Sequence, residues 1–543
     1  MLISLNKFGG IMPIVLDPAA LPDGKSQEAE DCRVDQGGLT SYQQDSLDSA
    51  PTLTGAIETI FRYYDLNTGD LYFFAWNSDV DAVTAPQPND IYSRVYYTEG
   101  GIFKVTDSTL FNQGGTNYPE AFRYPSPPAP LNACVVAGTP SGSPPTSEET
   151  RAYVYTYVNG YGSEGPPSPA SNLLDIYDGN RVEITGMDIG PVDPGSLYNI
   201  LYKNIYRTNQ NSTGTAEYQF VDFMAVAAAT YSDSIADANL GEVLPSLEWD
   251  GPPTGIEGLI ALPNGVLAGF TGNTVCFSVP YYPHAWPVSW QQTADRPVVG
   301  LGAYGSTVVV LTEGQPYLTV GNDPSNMVME KMDIGFSCMS KRGIIYTGDL
   351  VVYPSPEGLV VVGPQVREVV TQKIMTRDQW ILNYNPSTIF AYYWEAKYIG
   401  FYTANGYTGA FVYDFKTGEF LDLDVYALAG YYDKTVGLLF LVIGGNIVAF
   451  CNSSGSTRSY NYLSKQYKYR KTAFTCGKAL AASYPVYLDI IYPDIPFTIA
   501  LTVNDDEPFR FPGLLTETMN LRLTGTAGVY GVFLAGAIEE LPL

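Results

Sequence analysis

One histidine, His284, stands in the whole chain of 543 residues, and that alone removes most catalytic constellations. There is no second imidazole for a multi-histidine metal site, and no H-E-x-x-H pattern. His284 sits in Pro280-Tyr-Tyr-Pro-His-Ala-Trp-Pro287, crowded by rings, and reads as a half-buried imidazole packed on Trp286. Neither G-x-x-x-x-G-K-[ST] nor G-x-S-x-G occurs. Gly300-Leu-Gly-Ala-Tyr-Gly305 matches a dinucleotide fingerprint only as text. It leads into VVVLTEG, a strand, whereas a phosphate site needs a helix N-terminus.

Carboxylates are plentiful, so the chemistry most open to the chain is sugar hydrolysis by a pair of acids. Sites that hold an acidic sugar lean on several arginines, and residues 54–455 contain ten. Asp79-Val-Asp81 and Asp422-Leu423-Asp424 read as solvated loop residues. No calcium loop of EF-hand spacing is present. The 43 tyrosines and 24 phenylalanines could stack on bases, but without interleaved cations they read as core and subunit contacts. Only Lys465, Lys468, Arg470 and Lys471 form a basic cluster, which reads as an intersubunit or partner contact. No catalytic, cofactor-binding or metal-ligating residue is assigned, and no cofactor is implied.

The net charge is −27. Residues 1–450 hold 21 Lys and Arg against 48 Asp and Glu, and residues 451–543 hold 8 against 8. That excess argues against ordinary nucleic-acid binding, which relies on cations replacing phosphate counterions. Six widely spaced cysteines lack C-x-x-C spacing and read as buried thiols of a protein made in a reducing cytoplasm. The N-terminus shows no secretory pattern. Val436 to Phe450 is broken by Gly444, Gly445 and Asn446, and reads as strand, turn and strand rather than a membrane span.

The elements that would carry these residues are strands. With 53 glycines, 39 prolines and a charged fraction of 16%, the composition predicts an all-β protein. Residues 1–53 read as an extended arm, with one helical turn at Ser26 to Cys32. Residues 54–130 read as a first propeller blade and a linker, and Pro140 to Pro145 has a similar linker character. Residues 131–255 fit an inserted fibronectin-like β-sandwich. Residues 256–455 repeat a strand, tight turn and strand, with turns near Asn264-Gly265, Tyr304-Gly305, Thr347-Gly348, Trp394-Glu395 and Tyr432-Asp433, a spacing suited to four-stranded blades. Together these predict a six-bladed β-propeller interrupted after its first blade, and residues 456–543 a small separate C-terminal β domain.

Several longer runs resemble the nozzle proteins of short-tailed bacteriophages. They are Leu262-Pro263-Asn264-Gly265 to Phe270, Asn273 to Ser278, and Tyr282-Pro283-His284-Ala285-Trp286-Pro287. Others are Leu311 to Tyr317, Gly321 to Pro324, Cys338 to Gly343, and Tyr353 to Leu359. The likeness extends to Ala29 to Val34 with Gly37-Gly38-Leu39, to Tyr153 to Pro169 with Ile205 to Thr208 in the sandwich, and to Pro508-Phe509-Arg510, Leu521 to Gly525 and Glu539-Glu540-Leu541. Gly343 departs from the family, where Ser or a larger residue is expected.

The resemblance implies a non-enzymatic virion protein, assembled in the bacterial host cytoplasm as a homohexamer at the distal end of the tail. It implies docking below the head-to-tail adaptor ring, contact with tail fibres or tailspikes, and gated passage of double-stranded DNA without sequence-specific binding. An acidic channel wall would suit that passage, because it offers phosphates no electrostatic trap. The gate residues are not identified by the likeness. A propeller glycosidase and a receptor-binding module of a tail fibre are the alternatives.

Overall fold

The computed structural model describes residues 1–49, 55–115, 117–139, 149–210, 216–321 and 323–542. The linker reading at Pro140 to Pro145 lies outside them. The chain is all-β, with one α-helix, Arg377–Tyr384, among the described residues.

Inner strands follow one another around a common axis: Thr59–Tyr64, Asp81–Thr84, Glu257–Ala261, Val298–Tyr304, Ile345–Tyr346, Phe390–Trp394 and Gly430–Asp433. The five later ones each begin a four-stranded antiparallel arrangement, with turns where the spacing predicts them. The propeller reading therefore holds, but the stretch expected to be one blade is two sheets. Thr59–Tyr64 pairs Leu71–Trp76, while Asp81–Thr84, Val95–Glu99 and Ile102–Thr106 form a second sheet. Seven sheets thus ring the axis among the described residues, where six blades were expected. The reason is local: the Val80 N–H donates to Thr59 Oγ1 at 3.0 Å, so the chain returns to the axis at Asp81 instead of continuing outward.

The linker is built into the propeller. Val105 and Arg123 exchange backbone hydrogen bonds at 2.9 and 2.8 Å, which adds an outer edge to the second sheet. The sandwich leaves after this sheet. Its long strands Tyr153–Asn159, Ile200–Gln210 and Ala216–Ala225 form one face, and Val135–Ala137, Val182–Thr185 and Tyr231–Asp233 form another.

The N-terminal stretch is extended; Cys32–Arg33 and Thr40–Ser41 pair with each other, and its other strands complete something else. Leu2–Leu5 pairs Val529–Ala535, and Ser46–Ser49 becomes the fourth strand beside Asn446–Ala449. Ser26–Glu30 is a strand, not the helical turn expected there. Its Glu, Gln and Ala would suit a helix, but antiparallel pairing with Tyr460–Ser464 overrides that preference, reinforced by Gln27 Nε2 donating to Ser464 O at 2.7 Å.

Through this arm strand the C-terminal domain is continuous with the propeller. Glu30 bridges Asp422 in parallel, so one sheet runs from Phe390–Trp394 across the arm to Phe497–Val503. Beneath it a single core joins Ile345, Val352, Trp380, Phe411 and Phe420 of the propeller to Leu488, Leu521, Val532 and Leu534. The expected separate domain shares this core. Trp380 hangs from the helix, which Thr376 and Gln379 cap reciprocally, and its Nε1 donates to Ser355 O at 2.9 Å. Val436 to Phe450 forms Leu438–Ile443 and Asn446–Ala449 around a turn in which Gly444 and Gly445 both have positive φ. Among the described residues no helix is long and apolar enough to cross a membrane.

Candidate functional site

Where the inner strands begin, they leave a cavity of about 310 Å³ at the axis, lined by Asp79, Asp81, Lys341, Arg342, Tyr392 and Lys434 among others. Asp81 opens its strand and Lys341 precedes Ile345–Tyr346, so inner strands from across the ring deliver opposite charges to one point. Lys341 Nζ lies 2.7 Å from Asp81 Oδ2 and 3.0 Å from Asp79 Oδ2. The Gly258 N–H donates to the same Asp81 oxygen at 2.7 Å. Burial raises the Asp81 carboxyl above its usual range, and Asp79 adds to this against the pull of Lys341. Burial works against the Lys341 charge, yet Asp81 and Asp79 together hold its ammonium above the ordinary value. Asp79-Val-Asp81 is therefore an ion-paired element of the axis, not a pair of solvated loop acids.

Arg342 is equally committed. Its Nη2 donates to Glu58 O at 2.6 Å and Leu428 O at 3.1 Å, and its guanidinium lies 4.7 Å from the Phe390 ring. The arginine that a sugar site would use here is tied to two backbone carbonyls of neighbouring sheets. Next to it, Gly343 explains the departure from the resembling family. A Cβ there would lie 2.6 Å from Pro354 Cγ and 3.0 Å from Ile389 O, closer than side-chain carbons approach.

Of the other acidic pair, Asp424 is exposed as expected, but Asp422 is not a solvated loop residue. Asp422 is held by the Tyr384 hydroxyl, which donates to Oδ1 at 3.1 Å, and its backbone carbonyl accepts from the Asp31 N–H at 3.1 Å. Burial pushes its carboxyl up to about 7, with Glu30 adding to the rise. Burial also raises Glu30 and Asp31. The Asp424 N–H donates to Asp31 Oδ1 at 3.2 Å. Reading the residues in order missed this acidic seam, because its two halves lie almost 400 positions apart.

His284 is buried, at 7% exposure, rather than half-buried. Its ring neighbours are Trp249 at 5.5 Å and Tyr282 at 5.8 Å, not Trp286. Burial, with Arg94 nearby, takes the imidazole down to about 3. Its carbonyl accepts from the Ser126 hydroxyl at 2.7 Å, and Trp286 stands edge-on to Phe103 at 5.8 Å with Nε1 donating to Pro283 O. This segment is a joint between the sheet of residues 257–293, the preceding sheet and the chain entering the sandwich.

Of the predicted basic cluster, Lys468, Arg470 and Lys471 are brought together, exposed on strand Tyr467–Ala473. Lys465 is drawn away to Asp23 on the arm, which it pairs. The six cysteines are free thiols, all buried except the half-buried Cys451. Glu149, Asp178 and Asp237 bring carboxylate oxygens within 4.8 Å of one another. Arg151 occupies their midst at 3.2, 3.3 and 3.0 Å, so a guanidinium already supplies the charge a cation would bring.

No protein-family description matches the chain, and no curated protein does. Among solved structures it is similar to the Dos1 propeller, at 12% identity over 79% of this chain and 97% of that one, with a TM-score of 0.29. BBS1N in complex with ARL6DN matches at 6% identity over 77% of this chain and 99% of that one, TM-score 0.29. Kluyvelomyces marxianus Hsv2 matches at 9% over 61% and 94%, TM-score 0.26. The propeller architecture is read from the chain's own sheets.

Proposed function

We propose that this chain is a structural subunit of a short-tailed phage tail nozzle, working as a homohexamer that supports tail fibres or spikes and gates outgoing DNA below the adaptor ring. One observation carries the reading: three of the runs that resemble the nozzle family stand where the parts of the molecule join. Glu30, Asp31 and Cys32 lie where the arm seams the propeller to the C-terminal domain. Tyr282 to Pro287 form the joint to the sandwich, and Lys341 and Arg342 tie the sheets at the axis. Residues that fix three β units in one frame suit a load-bearing ring subunit, and the axial charges are spent on one another.

The charge agrees with such a role. At −27 per copy, a ring of these subunits repels phosphates along its channel and lets duplex DNA slide. Function in this reading makes no covalent bond. It rests on a shift between closed and open packings biased by fibre contacts. Electron microscopy of the purified protein, and of the virion that carries it, tests this directly. A six-fold ring at the distal end of the tail supports the proposal, whereas a monomer that hydrolyses glycans or a three-fold fibre component sinks it.

A further inference from the structure

The C-terminal domain holds equal numbers of acids and bases; Asp489 and Arg522 face each other inside its sheet, but two exposed clusters of opposite sign stand apart at its margins. Strand Tyr467–Ala473 pairs on one side only, with Leu515–Gly525. Tyr469 points into the core, while Lys468, Arg470 and Lys471 are exposed, and none of the three forms an ion pair among the described residues. Glu517, on the adjoining strand, does not neutralise them either. From Leu515–Gly525 the sheet continues through Val486–Tyr492 to Phe497–Val503, its last strand on that side. That far edge runs into Asp505-Asp506-Glu507, all exposed and without a cationic partner among the described residues. Apolar surface accompanies both edges, Leu515 at 61% exposure beside the basic one and Phe497 at 53% on the acidic one.

Charged side chains on an open edge commonly serve to prevent edge-to-edge aggregation. Protection alone needs charge, not segregation of the two signs. Here two basic edges repel and two acidic edges repel, so a symmetric two-fold pairing is disfavoured through either edge. A basic edge against an acidic edge is attractive, and a head-to-tail contact of that kind, repeated, builds a ring where the rotation between copies closes and a filament where it does not. We propose that neighbouring copies of this chain join through these edges, Lys468, Arg470 and Lys471 of one copy facing Asp505, Asp506 and Glu507 of the next. The inference rests on the ring reading above and names the surface that builds the ring.

Two full-length variants test it: Lys468→Glu/Arg470→Glu/Lys471→Glu, and Asp505→Lys/Asp506→Lys/Glu507→Lys. All six side chains are on the surface, and circular dichroism checks that each variant folds. Sedimentation velocity and particle imaging should find six-fold rings for the wild-type chain and assembly weakened by about tenfold or more in either variant alone. An equal mixture of the two should assemble again, because each altered edge matches the other variant's. Six positions can alternate two variants around a closed ring, and three cannot. If both variants assemble like the wild type, the inference fails while a six-fold wild type keeps the nozzle reading. A wild type that assembles with another symmetry, but is broken by both variants, keeps the inference and overturns the nozzle. A wild type that stays monomeric overturns both.

Discussion

Lys341 Nζ lies 2.7 Å from Asp81 Oδ2 across the propeller axis, and no other cation forms an ion pair with Asp81 among the described residues. Replacing Lys341 by Met would leave a partly buried carboxylate facing Asp79 with only the Gly258 N–H and the Thr98 hydroxyl donating to it. Loss of one partner costs roughly 3–5 kcal/mol for a fully buried pair, and both side chains here keep about a fifth of their exposure, so about 2 kcal/mol is expected. Chemical denaturation measures it. Lys341→Met/Asp81→Asn should recover most of the loss, and a double variant as weak as the single one would show that the lysine acts through packing instead.

The seam at Asp422 gives the protein a pH dependence of definite sign. Its carboxyl titrates at about 7 in the folded chain, against about 4 when unfolded. Between those values the folded state binds the extra proton, so stability falls as pH rises through that window and the loss is complete above about 7. Glu30 faces the group from the arm and the Tyr384 hydroxyl from the helix, while Asp31 and Asp424 in turn face Glu30. Asp422→Asn, which keeps an acceptor for Tyr384, should remove this component. At pH 8 the variant should be more stable than wild type, by up to roughly 4 kcal/mol, and at pH 4 the two should coincide. Equal stabilities at both pH values would mean that Asp422 is ionised at no cost.

The turns at Asn264-Gly265, Tyr304-Gly305 and Trp394-Glu395 could be placed from residue order because a hairpin turn is a local event, set by the residues in it. The sandwich strands were legible for a similar reason, in the alternation of Tyr153 to Asn159. Sheet membership was not, since pairing partners carry no local mark: Ser46–Ser49 finds Asn446–Ala449 some 400 positions away. The extra sheet at Asp81 escaped because Asp79-Val-Asp81 looks like any polar turn until Lys341 is set beside it. Ser26–Glu30 misled for the opposite reason, its helix-favouring residues being outweighed by a distant partner strand. The basic cluster was visible as a run of residues, but its segregation from Asp505-Asp506-Glu507 is a property of strand order alone.

His284 should remain neutral across the physiological range. Burial and Arg94 hold its imidazole at about 3, so the unfolded chain takes up a proton near pH 6.5 that the folded chain does not. This contribution to stability is present above about pH 6.5 and is lost as pH falls toward 3. Being the sole histidine, it gives one set of imidazole signals in a histidine-labelled sample. Those signals should keep the neutral form from pH 8 to pH 5, and a midpoint near 6.5 would mean that the joint around Trp249 and Tyr282 opens to water.

Gly10 is where the arm meets the propeller most closely. Its N–H donates to Glu419, the next N–H in the chain, of Ile11, donates to Phe420 O at 2.9 Å, and a Cβ on Gly10 would lie 2.1 Å from that same carbonyl oxygen. Backbone cannot yield there as a flexible side chain could, because Phe420 is fixed in the strand Phe420–Leu423 and stacks on Phe411 at 4.9 Å. Gly10→Ala must therefore lift the arm from the blade, and with it the strand Ser26–Glu30 that links blade to C-terminal domain. A loss of about 2 kcal/mol is expected, the middle of the range for overpacking, together with faster hydrogen exchange across residues 26–30 and unchanged exchange in the sandwich. Uniformly faster exchange would instead mean that propeller, arm and sandwich unfold as one unit.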